Sequence, residues 1–277
     1  MKRAICSISL SAILIAAGSS LSAQSLKSLM RLPFNVIENK WEANRTGDGQ
    51  DLNYYNNDYC DYYVFREQDN SYNLSPGKNT IISLKRGETT DMPFKNLSSY
   101  IPFRGRFPKK FNAALPYALP VKNGEKTAWK TDQRERFKTL NFFMHKGDTV
   151  YATRGGTACL TNNDRQVLVY HPDHTFAAYL MLEERFVLPG ENVQTGEPIG
   201  VAGLSGVSVS FFFLDENKFE SGRATGYPYS HFVPVFRTSE GDLKLEEKKL
   251  YKAVTDDALI MQEMSKREQK RYLKAKK

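Results

Sequence analysis

The chain has 277 residues, 40% of them hydrophobic, 25% charged and 12% aromatic, with 39 basic against 31 acidic side chains. This composition excludes a disordered, collagen-like or membrane-bundle protein and leaves room for one large or two ordinary domains. A net charge of +8 permits an anionic partner without specifying one.

Lys2 and Arg3 precede a run, Ile5 to Ala17, that is apolar or small throughout, and small residues lead to Ala23. Positive start, short apolar stretch and small-residue cleavage site make residues 1–23 a secretory signal peptide. The run is shorter than the roughly 18–20 residues that cross a bilayer, so it reads as a cleaved leader and not an anchor. No later stretch is long and apolar enough to be a transmembrane segment. The mature chain is therefore expected to be exported, to the periplasm or the extracellular side of the envelope. Loss of Lys2 and Arg3 lowers the net charge from +8 to +6. Cys60 and Cys159 remain, in a compartment where pairing is open; the plainer reading is two separate buried thiols.

From residue 24 to about 115 the chain reads as a small β-rich, sandwich-like domain. Tyr54, Tyr55, Tyr59, Tyr62, Tyr63, Val64 and Phe65 suit strands, as do Asn79 to Leu84 behind the turn Ser75-Pro76-Gly77, and Ser98 to Phe103. A second β-rich domain spans 116–240. Its strands are expected at Asp148–Thr153, Ala158–Leu160, Gln166–His171, Thr175–Leu182 and Val207–Leu214, with no helical period to interrupt them. The fold class is thus mainly β, two domains in series with a largely antiparallel sheet in the second. Residues 241–277 form a charged extension. Thr255 is placed to cap a helix that begins with Asp256 and Asp257 and ends basic, matching the helix dipole. Lys266 to Lys277 hold seven basic residues and one acid. No aromatics are interleaved there in the manner of a nucleic-acid binder, so no nucleic-acid partner is expected.

The most specific segment is Val187-Leu-Pro-Gly190-Glu-Asn-Val193-Gln-Thr-Gly196-Glu-Pro-Ile199-Gly200. Its glycines set tight turns while Val193 and Ile199 point inward. Biotinyl and lipoyl carrier barrels share this rhythm, but they need a lysine at an exposed hairpin tip, and none falls there. The flanking blocks resemble those of the lysostaphin- and LytM-like zinc endopeptidases that cut peptidoglycan crosslinks. Asn141 to Gly156 is similar to that family's opening segment. Val169-Tyr-His171-Pro-Asp173 to Leu182 is similar to its His-Pro-Asp-Gly-Thr hairpin and Tyr-x-His-Leu strand. Gly200 to Ser208 is similar to its glycine-rich approach to the last metal strand. Together the blocks cover about residues 117–237.

What the resemblance implies for chemistry is a loss. The family holds zinc with a His and an Asp near the first strand and the second His of a His-x-His strand, leaving a fourth position for water. The matched Asp is Asn141, and no histidine occurs between residues 24 and 144. The Tyr-x-His-Leu histidine matches Met181, two residues after Tyr179. The His-x-His strand falls at Ser210-Phe211-Phe212-Phe213-Leu214, and neither of the two registers one residue apart gives a histidine. Zinc is therefore expected to be absent, and Asn141, Tyr179, Met181, Ser210, Phe211, Phe212 and Phe213 become candidates for a binding groove or a filled core. His145, His171, His174 and His231 read as ordinary loop or sheet-edge residues, and Asp148 and Asp173 as turn residues. The expectation is a pseudoenzyme that binds cell-wall peptide or regulates an envelope partner such as a wall hydrolase. An active zinc endopeptidase with displaced ligands, drawing on His171 or His231, and a purely structural envelope protein are the alternatives.

Overall fold

Val207–Leu214 is the strand around which the molecule is built, and its composition explains why. Two valines, two serines, three phenylalanines and a leucine favour extended backbone, and none of them needs a solvated face. In the computed structural model, which describes residues 25–65, 71–89, 101–109, 111–131, 138–219 and 228–276, this strand is buried along almost its whole length. It lies in an eight-stranded antiparallel sheet. In spatial order the strands are Asn192–Val193, Gly156–Ala158, Val167–Tyr170, Thr175–Leu180, Val207–Leu214, Leu140–Phe142 and Trp129–Thr131, with Tyr229–His231 also paired to the central strand.

Both faces of this sheet are covered. On one side a three-stranded sheet, Thr149–Tyr151, Pro198–Ala202 and Leu182–Arg185, packs its Val150, Ile199, Ala202 and Leu182 against Leu140, Tyr179, Val209 and Phe211. Val193 and Ile199 of the glycine-rhythm segment point inward as expected, at 4% and 0% exposure. On the other side sits the N-terminal part of the chain. It contributes two three-stranded antiparallel sheets, Ile37–Ala43 with Gly49–Asn56 and Gly77–Lys85, and Tyr72–Leu74 with Tyr62–Phe65 and Ile101–Arg104. Their Leu52, Tyr54, Tyr62, Val64 and Leu74 share one apolar cluster with Leu168, Phe176, Leu180, Phe212 and Leu214. Burying each such side chain is worth about 1.5–3 kcal/mol.

The fold is mainly β and largely antiparallel, as composition and patterning indicate; Pro116–Tyr117 alongside Val235–Phe236 is a parallel pair. Several boundaries shift. The strand expected at Ala158–Leu160 is Gly156–Ala158. The strand expected to run from Thr175 to Leu182 stops at Leu180, because Met181 turns to φ +67° and sends Leu182 into the second sheet. Residues 98–100 of one expected strand, and the whole expected signal peptide, lie outside the described residues; Ile101–Arg104 is extended.

The C-terminal helix is two helices. Asp256, and not Thr255, caps the first, its Oδ1 accepting from Leu259 N at 2.8 Å, and that helix covers only Asp257–Ile260. Met264 is extended, and Ser265 then opens a second helix, Lys266–Ala275, with a reciprocal capping box to Glu268. The Ser-x-x-Glu spacing carries that signal in the sequence. Among the described residues no helix is long and apolar enough to cross a membrane.

Candidate functional site

Register decides which matched positions share a face. Asn141 pairs with Ser208, Ser208 pairs with Leu180, and Ser210 pairs with Ala178, without a bulge in either ladder. Side chains alternate along a strand, so Asn141, Ser208, Leu180, Ser210, Ala178 and Phe212 occupy one face. Leu140, Tyr179, Val209, Phe211 and Phe213 occupy the other. The expected set therefore divides. Asn141, Ser210 and Phe212 lie on one side of the sheet, and Met181 reaches that side through a contact between its Sδ and the Ser208 hydroxyl, which donates at 3.5 Å. Tyr179, Phe211 and Phe213 lie on the far side. The Tyr179 hydroxyl accepts from Thr153 N at 2.7 Å, Phe211 packs edge-on against Tyr117, and Phe213 packs against Phe111 and Phe232. Ser208 joins the group although the sequence placed the strand's matched residues two positions later.

His231 enters from the neighbouring strand, which pairs it with Phe212. The Ser210 hydroxyl donates to the Lys138 carbonyl at 2.7 Å and lies 3.1 Å from His231 Nδ1, which donates to it. Burial first, then the charges of Lys138 and Lys218, pushes the imidazole down to about 3, so it is neutral at pH 7. Asn141 is 3% exposed, and its Oδ1 has no hydrogen-bond partner among the described residues.

This donor set does not fit a catalytic zinc. Such a site needs three ligands drawn from imidazole, thiolate or carboxylate. Asn141, Met181, Ser208 and Ser210 offer a neutral amide, a thioether and two hydroxyls, leaving His231 as the one strong ligand. The part of this face that holds Leu180, Phe212 and Leu214 is covered by the N-terminal part. Leu26, Leu29, Val36, Tyr62 and Phe65 of the N-terminal part pack on the Phe176–Phe212–Leu214 stretch, and Gln166 Nε2 donates to Ser25 O and Ser28 Oγ at 3.2 and 2.9 Å.

An open site lies elsewhere. A cavity of about 810 Å³ runs between the edge of the large sheet, the His171–His174 turn and the Lys266–Ala275 helix, with Tyr59, Tyr170, His174, Gln194, Arg271 and Tyr272 in its wall. Beneath it Arg154, 3% exposed at the side chain, donates to Asp173 at 2.8 Å, to the Tyr117 hydroxyl at 2.9 Å and to Glu263, which belongs to the C-terminal extension. Burial raises the Asp173 carboxyl, but the charge of Arg154 and the bonds it receives outweigh this and hold it below its ordinary range. Asp173 also accepts from Thr175 N and Oγ1, the turn role that the sequence suggests. His171 is fully buried, with Nδ1 2.7 Å from the Gly155 carbonyl, and burial followed by Arg154 pushes it down to about 3. His174 stands at φ +71° in the turn and stacks on Tyr170, while His145 is exposed beside Asp148. Nothing in the sequence marks Arg154 as buried.

No family model matches the sequence, and no curated relative does. Among solved structures, a Pseudomonas aeruginosa protein described as a peptidase of the M23 type aligns at 15% identity and a TM-score of 0.31, over 59% of this chain and 66% of that one. Helicobacter pylori Csd3 aligns at 8% identity and a TM-score of 0.30, over 82% of this chain and 58% of that one. The chain thus spans less than two thirds of either protein. Likeness of this degree leaves the chemistry to the residues themselves.

Proposed function

We propose that this chain is an exported, non-catalytic relative of the peptidoglycan metalloendopeptidases, acting by binding cell-wall peptide, or an envelope protein that handles it, without cutting. The observation that carries this reading is the register-defined face on which Asn141, Met181 and Ser210 stand at positions where the resemblance calls for a carboxylate and histidines, with the Ser208 hydroxyl beside them. Its burial supports the reading further: Asn141 is 3% exposed, so it is not presented to a substrate at the surface. Recognition moves to the cavity beside the terminal helix, where tyrosines supply flat apolar area and Arg271 a cation for a peptide carboxylate.

The test is sedimentation of the purified protein with isolated sacculi, followed by analysis of the soluble fraction. The protein is expected in the pellet, with no crosslinked peptide released even when zinc is added. Arg271→Glu is expected to weaken binding about tenfold, the equivalent of 1.4 kcal/mol. Release of wall peptides that depends on zinc contradicts the proposal and restores the endopeptidase reading. Absence from the pellet redirects the search to a protein partner in envelope extracts.

A further inference from the structure

We infer that Cys60 and Cys159 are the two halves of a disulfide that fastens the N-terminal part of the chain to the large sheet. Cys60 lies between the strands Gly49–Asn56 and Tyr62–Phe65, and Cys159 follows the strand Gly156–Ala158, so they come from opposite sides of the interface that covers Leu180, Phe212 and Leu214. Both are buried free thiols in this structure, and their sulfur atoms, together with a carboxylate oxygen of Asp58, lie within 4.8 Å of one another.

Three such groups also suggest a metal, and the surroundings decide between the two. Every acceptor position of Asp58 is taken. Its Oδ1 accepts from Tyr59 N and from Leu160 N, both at 2.8 Å. Its Oδ2 accepts from the Tyr62 hydroxyl at 2.9 Å and from the Cys60 thiol at 3.7 Å, and it forms an ion pair with Arg104 Nη1 at 3.3 Å. A carboxylate has about four lone-pair sites, so none is left to hold a cation. Two sulfurs alone fall short of the three protein ligands that a zinc site needs. Two adjacent thiols with no third ligand become a disulfide in an oxidising compartment, so the inference rests on the export proposed above.

The same network holds the two loops in place before any bond forms. Leu160 N binds Asp58 from one side, and Arg104 Nη1 donates to the Leu160 carbonyl at 2.7 Å from the other. The two sulfurs already lie within 4.8 Å of each other in this frame. A disulfide-bearing oxidant, small-molecule or protein, supplies the chemistry by exchange. One cysteine thiolate attacks a sulfur of the oxidant and expels a thiolate; the other then attacks the mixed disulfide and expels the second. Two thiols lose two protons and two electrons, and the oxidant leaves as two thiols. Burial pushes the Cys60 thiol well up, so exchange belongs to the folding chain, and the finished bond is shielded.

The experiment uses the full chain, equilibrated in glutathione buffers from reducing to oxidising, acid-quenched, alkylated and mapped by mass spectrometry. Expected in the oxidising arm are an intact mass lower by two hydrogen atoms and one peptide joining the Cys60 and Cys159 segments. The urea midpoint is expected to rise on oxidation in the native chain and to ignore the buffer in the C60A/C159A double variant. Full alkylation of both cysteines after the oxidising arm, a linkage through Cys6, or bound zinc released on alkylation would each overturn the inference. The peptide map needs no variant to fold, and none of these outcomes depends on whether the protein binds the cell wall.

Discussion

Arg154 concentrates more buried charge than any other side chain around the cavity, because three elements meet on its guanidinium: the Asp173 turn, Tyr117 and Glu263. Replacing it with Met leaves the part-buried carboxylates of Asp173 and Glu263 without their shared cation. Loss of one partner from such a set costs about 3–5 kcal/mol, so a cost of at least the lower figure is expected in urea unfolding, with Lys a poor substitute because it lacks the planar fork. The pH dependence follows from the signs. The folded Asp173 carboxyl is lowered, so its contribution is full above the unfolded carboxylate value of about 3.9 and is lost as pH falls through the folded one. His171 and His231 are lowered to about 3, whereas an unfolded histidine titrates near 6.5. Between those values the unfolded chain takes up protons that the folded one refuses. Stability is therefore expected to fall as pH drops from about 6.5 towards 3, and His231→Asn should give a shallower fall when urea midpoints are compared at pH 7 and 4.5. At this scale the sequence was half legible. The turn role of Asp173 could be read off its neighbours. The burial of Arg154 and the inward aim of Ser208 depend on long-range register, which short-range patterning does not carry.

Among elements, the central strand could be read directly from composition, since a run that is apolar or hydroxyl-bearing at every position suits a sheet covered on both sides. Its start is fixed by Gly206 at φ +80°, where an added Cβ would lie 2.1 Å from the Phe142 carbonyl oxygen. Gly206→Ala is therefore expected to destabilise by more than about 2 kcal/mol, the left-handed backbone cost plus displacement of the neighbouring strand. The break at Met181 was not legible, because methionine carries no turn signal and its φ of +67° is imposed by the demand that Leu182 join the second sheet. The terminal helices were misjudged for a local reason: Asp256 outcompetes Thr255 as cap, and Ser265 restarts the helix. Ser265→Ala removes a capping box worth about 1 kcal/mol. Amide exchange at Glu268 should accelerate in that variant while exchange in Val207–Leu214 stays unchanged, and wall binding should weaken because this helix forms one side of the cavity.

For the whole molecule, the arrangement that matters is the N-terminal part seated on the face that carries Asn141. The β-rich character of both ends of the chain was apparent from composition and turn spacing; how their sheets pack together was not, because an apolar strand face looks the same whatever covers it. Phe212, stacked on Phe176 with ring centroids 5.1 Å apart, lies at that contact. Phe212→Ala is expected to cost about 3–5 kcal/mol and to loosen the two halves together, giving one unfolding transition at lower urea. Such coupling leaves an amide, a thioether and two hydroxyls on the buried face that Asn141, Met181, Ser208 and Ser210 share. The direct measurement is a zinc titration of the purified chain by equilibrium dialysis. No saturable site is predicted on the Asn141 face, so His231→Ala should leave the isotherm unchanged. One tightly held zinc per chain that disappears in His231→Ala would contradict the account.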